Sequence, residues 1–165
     1  MNWYEIIAKI QEEFPEFKVV EKGRSSLMRF FSLLLKPFNP DFMARYTVTW
    51  GSTVFMPKTI MGTEQGAEIL LHEAVHMRDS KKWKFIYYLS YIILPIGPSF
   101  RAIWELRAYT ESMQIEYNKL GYVSDHTISF IASQFTGSSY LFMFPFPKTI
   151  AKILRRRADK MQKTA

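Results

Sequence analysis

The stretch that decides the fold is Thr63-Glu64-Gln65-Gly66-Ala67-Glu68-Ile69-Leu70-Leu71-His72-Glu73-Ala74-Val75-His76-Met77-Arg78-Asp79-Ser80. Thr63 suits an N-cap, and Glu64 and Glu68 place negative charge near a helix start, where the backbone dipole favours it. Ala67, Leu70, Leu71, Ala74, Val75 and Met77 then supply a wide apolar face, so the pattern predicts a core-facing helix to about Ser80. His72 and His76 are four residues apart, which brings two imidazoles to one helix face about 6 Å apart along the axis. That suits two ligands of one tetrahedral zinc. Glu73 lies to the side of that face, close enough to reach a metal-activated water without being a ligand, in the HExxH arrangement. The bland alternative is a pair of surface histidines around a solvated Glu, and the crowding by Leu71, Ala74 and Val75 speaks against it.

Composition narrows what else could serve. The 165 residues are 48% apolar and 22% charged, and contain no cysteine and three histidines. A chain of that length is expected to form one domain, 1–165, burying roughly 70% of its unfolded surface. Without cysteine there is no disulfide framework, thiol nucleophile, iron–sulfur cluster or cysteine zinc finger, so a metal must be held by His, Asp or Glu. The net charge of +7 is uneven: residues 148–165 hold seven Lys/Arg and one Asp, leaving only +1 on residues 1–147. Basicity confined to one segment is poor support for a nucleic-acid binder. Met1-Asn2-Trp3-Tyr4-Glu5 has no basic n-region, so no secretory signal is expected. The longest apolar run, Phe85 to Pro98, is too short to span a bilayer and reads as buried or interfacial.

Working outward, a helix is predicted from Trp3 to Glu13, followed by an extended piece Phe17–Val20. Ser25 or Ser26 caps an apolar helix through Leu35. Arg45 to Met56, rich in Thr, Val, Tyr and Trp around Gly51-Ser52, reads as a β-hairpin or bent strand pair. After the motif helix come a second helix beyond Trp83, a third capped by Ser99 and running to Leu120 before Gly121, and a short one capped by Asp125 to about Gly137. Residues 148–165 form a basic amphipathic helix, with Ile150, Leu154, Ala158 and Met161 opposite Lys152, Arg155, Arg156 and Lys160; a docked surface helix is the favoured reading. The class is α+β: mostly helical, with one small sheet ahead of the motif helix.

A catalytic zinc takes three protein ligands and leaves a position open. The best third donor is Glu105 in Arg101-Ala102-Ile103-Trp104-Glu105-Leu106-Arg107-Ala108-Tyr109, on one face with Ala108, Tyr109 and Ser112. A carboxylate on such a face is a candidate for burial, and a buried carboxylate needs a partner. His126 is the only other histidine.

The chain here resembles the gluzincins, zinc metallopeptidases whose two HExxH histidines are joined by a Glu from a later helix, often within Glu-x-x-Ala-Asp. The similarity covers roughly Tyr46 to Leu120 and looks like a small, minimal zincin-like member. It implies His72, His76 and Glu105 as ligands, Glu73 as general base, Zn2+ as cofactor and a peptide or protein as substrate. It also implies that Thr53–Met56 is an upper-rim edge strand pairing with extended substrate. Tyr109 stands where the family pattern often has an Asp that orients a ligand histidine; Asp79 or Glu111 are the substitutes. For stabilising the oxyanion, Tyr109 and His126 are the candidates, with Tyr122 third.

Aromatic density around Phe85, Tyr87, Tyr88, Tyr91, Phe142, Phe144 and Phe146 fits a membrane-interface patch, a greasy substrate groove or, as the favoured reading, an aromatic core. The expected setting is cytoplasmic or virion-associated. The alternative function is a non-catalytic binding module, with a structural metal or none. It would dock on a membrane or nucleic acid through the basic C-terminal helix. The same basic cluster leaves room for a weak contact of residues 148–163 with an anionic surface, a lesser reading than the docked helix, with the membrane peripheral at most and nucleic acid not the expected partner.

Overall fold

In a computed structural model, which describes residues 2–37, 39–93, 100–137 and 142–164, the chain is mostly helical with a small three-stranded sheet, the α+β class expected. It divides into two compact units, Met1–Met77 and Arg78–Ala165.

In the first unit, α1 (Trp3–Glu13) starts at Asn2, whose side chain accepts from the Tyr4 amide while Glu5 reaches back to the Asn2 amide. β1 (Lys18–Glu21) leads through a 3-10 turn, Lys22–Arg24, into α2 (Ser26–Leu35), capped by Ser25. A four-residue helix, α3 (Phe42–Arg45), was not expected. β2 (Val48–Trp50) and β3 (Thr53–Met56) form the predicted hairpin, and Gly51 takes φ 59° in its two-residue loop, a conformation cheap only for glycine.

The strand order is β1-β3-β2, with Val19 beside Val54 in a parallel pair and Thr49 beside Val54 in an antiparallel one. Thr53–Met56 is therefore the central strand, which corrects the edge-strand expectation. Both its edges are already hydrogen-bonded, and among the described residues the open edges belong to β1 and β2. Val54 and Met56 alternate into the interior and are buried, as are Ile6, Ile10, Ala67 and Leu70.

α4 (Glu64–Ile93) begins as expected, with Thr63 Oγ1 accepting from the Gly66 amide at 3.0 Å. It does not stop near Ser80. It continues to a break at Lys84 (φ 45°, ψ −119°), where the apolar second half begins. Gly66 lies where a Cβ would stand 2.1 Å from the Ile60 carbonyl oxygen and 2.9 Å from the Trp3 ring.

The second unit contains the end of α4, α5 (Phe100–Leu120), α6 (Asp125–Thr136) and α7 (Pro147–Thr164). Gly121 follows α5 at φ 77°, its amide bonded to the Tyr117 carbonyl. The cap of α6 is Ser124 rather than Asp125: Ser124 Oγ accepts from the Thr127 amide and donates to Glu116, leaving Asp125 in the first turn. Met113, Ile131, Phe135, Met143 and Leu154 form the core. Ile150, Leu154 and Ala158 of α7 are buried in it, so the docked reading of that helix holds. The aromatic-core reading holds only in part. Tyr87 and Trp83 pack on Trp104, whereas Phe85, Tyr88, Phe142 and Phe146 are exposed. Tyr91's side chain, the Ser99 cap and the end of the apolar run at Pro98 lie outside the described residues. No helix among the described residues is long and apolar enough to cross a membrane.

Candidate metal centre

α4 carries His72 and His76 one turn apart, their ring centroids separated by 5.1 Å at 73°. Neither the glutamate between them nor the second histidine is a surface residue. Glu73 is 8% exposed and His76 6%, so the solvated-face alternative fails. The cause is the apolar run around them, which seats this turn of the helix in the interior.

Glu105 on α5 is 5% exposed. Arg101, one turn earlier, places Nε 3.7 Å from Glu105 Oε1, beyond ordinary hydrogen-bond range. One ligand atom from each of His72, His76 and Glu105 lies within 4.8 Å of the others, and this group could hold a metal ion. The three would offer it two imidazole nitrogens and one carboxylate oxygen.

Two features near Glu73 were not foreseen. Thr49 Oγ1 on the edge strand β2 donates to Glu73 Oε2 at 2.5 Å. Cross-strand partners share a sheet face, so Thr49 points the same way as the buried Val54. Strand alternation ahead of the motif helix could have singled out Thr49. The second is Lys22, fully buried, with Nζ donating to the Phe42 carbonyl at 2.5 Å and the Tyr46 carbonyl at 2.8 Å, 3.4 Å above the Phe42 ring. Burial lowers its pKa from 10.5 to about 8, opposed by the nearby Glu73 carboxylate. A lysine in Lys22-Gly23-Arg24 carries no sequence sign of burial. By tying both ends of α3, it fixes the approach to β2 and hence the placing of Thr49.

The other expected residues fall as follows. Tyr109 is one turn beyond Glu105, with its ring 5.8 Å from Phe135 in the hydrophobic core. His126 is exposed in the first turn of α6 and is not part of the donor group; Tyr122 is exposed as well. Asp79 is buried and ion-paired with Arg107 Nη2 at 2.9 Å, and Glu111 is half-buried. Compared with family models, curated proteins and solved structures, the chain matches none.

Proposed function

We propose that this chain is a zinc-dependent, gluzincin-type metallopeptidase that hydrolyses peptide bonds. The observation that carries the proposal is the meeting of three donor atoms from His72, His76 and Glu105 within 4.8 Å. Zinc is favoured because two neutral imidazoles and one carboxylate are its usual catalytic ligands, whereas calcium and magnesium prefer oxygen alone. Bound there, the ion supplies Lewis acidity that polarises a substrate carbonyl and makes water nucleophilic near neutral pH.

The remaining steps belong to the protein. Glu73 takes the proton from the attacking water and passes it to the leaving amine nitrogen, so one carboxylate is base and then acid. Thr49 holds Oε2 by its hydroxyl, which leaves Oε1 for proton transfer. The open edge of β2, the strand that carries Thr49, offers backbone groups to an extended peptide. For the oxyanion, Tyr109 is preferred over His126 because it shares the Glu105 face of α5.

The test uses metal analysis by mass spectrometry, with and without chelator, beside a general peptide-cleavage assay. Glu73→Gln should keep about one zinc per chain and lose at least about a hundredfold in turnover. Glu105→Ala should lose the zinc itself. Two active variants, each holding one metal, would overturn the assignment.

A further inference from the structure

Helices α2 and α7 are both strongly amphipathic, and the fold treats them in opposite ways. The apolar stripe of α7 is covered, with Ile150, Leu154 and Ala158 buried in the core of its unit. That of α2 is bare. Leu27, Phe30, Leu33 and Leu34 are exposed, Leu33 at 70%, and of the ten residues of this helix only Met28 is buried.

Residues 27, 30 and 34 follow one another at spacings of three and four, so they form one stripe. Phe31 extends it to Trp50, with ring centroids 6.5 Å apart, and the Trp50 indole is itself exposed. Arg29 precedes Leu33 by four residues and Lys36 follows it by three, so both exposed cations flank the patch on the Leu33 side. Residues 22–40 contain no Asp or Glu.

We propose that the exposed face of α2, together with Trp50, docks on an anionic lipid bilayer, the helix lying in the interface plane. An apolar face bordered by cations, with an indole at its margin, matches that surface: leucine and phenylalanine enter the acyl boundary while Arg29 and Lys36 extend to the phosphates. The charge pattern favours lipid over a second copy, because a two-fold contact through this face would set its cations against their own equivalents with no acid to pair them. It also moves membrane contact away from the basic C-terminal helix, whose apolar residues are already buried.

Cosedimentation with vesicles of phosphatidylcholine alone, or with about a third phosphatidylglycerol, tests this. The wild type should bind the anionic vesicles, with a blue shift in tryptophan emission that Trp50→Phe removes. Combined Leu27→Gln, Phe30→Gln and Leu34→Gln should weaken binding by about a hundredfold or more, with an unchanged urea midpoint because all three side chains are exposed. Arg29→Gln with Lys36→Gln should weaken it by about thirtyfold, a loss that salt mimics. Lys152→Gln, Arg156→Gln and Lys160→Gln together should leave it intact. The proposal is overturned if neither vesicle is bound, if only the α7 variant loses binding, or if the triple α2 variant dissolves a dimer in lipid-free sedimentation.

Discussion

Replacing Lys22 by Met isolates the energetics of a buried ammonium beside the candidate general base. In the folded protein this lysine titrates at about 8, against 10.5 when free. Below pH 8 both folded and unfolded chains hold the proton, and the site bears the full desolvation of the charge. Between about 8 and 10.5 the folded state has released the proton while the unfolded chain retains it. Unfolding therefore takes up a proton, and stability rises with pH through this window at a limiting slope of about 1.4 kcal/mol per unit. The full shift corresponds to about 3 kcal/mol, which solvent screening reduces to about 1–3 kcal/mol. Lys22→Met has no such titration. At neutral pH it leaves the Phe42 and Tyr46 carbonyls without their donor, about 1–3 kcal/mol for each, but also removes a desolvated charge, so the net change should be small. Urea midpoints of both proteins, with chelator present, should be measured at pH about 7.5 and about 10. The wild type should gain relative to the variant as pH rises. Parallel midpoints across that range would refute the reasoning, because they would mean that Lys22 is solvated and does not tie α3 to the approach of β2.

Three further outcomes follow from single contacts. Thr49→Val, nearly isosteric, should keep the metal and lower peptide hydrolysis by about tenfold or more, because it removes one charge-assisted hydrogen bond to Glu73; zinc content and turnover are read together. Gly66→Ala should destabilise the protein by about 2 kcal/mol or more in urea, since its methyl would meet the Ile60 carbonyl oxygen. Ser124→Ala should cost about 1–2 kcal/mol by melting curves, with Ser124→Thr restoring most of it, because Ser124 both caps α6 and bonds Glu116.

Local chemistry made much of this protein legible in its residues alone. The end of α1 at Glu13, a serine cap on α2, the hairpin around Gly51, the Thr63 cap and the left-handed Gly121 depend on interactions within a few residues, and the structure has them where expected. The His72/His76 pair was legible for the same reason, since helical periodicity alone sets their shared face. Glu105 could be named from the sequence as a carboxylate in need of a partner, but only three-dimensional placement brings its oxygen near both imidazoles. The central position of β3 was hidden because parallel pairing with β1 joins residues some 35 apart in sequence, and no local pattern encodes such a choice. Lys22 and the bare face of α2 were hidden by the converse problem. Amphipathicity says which face of a helix is apolar, and charge says which side chain prefers water. Whether a neighbour arrives to cover the one or enclose the other is decided by the packing of distant segments, where the summed burial of many side chains outweighs the preference of any single residue.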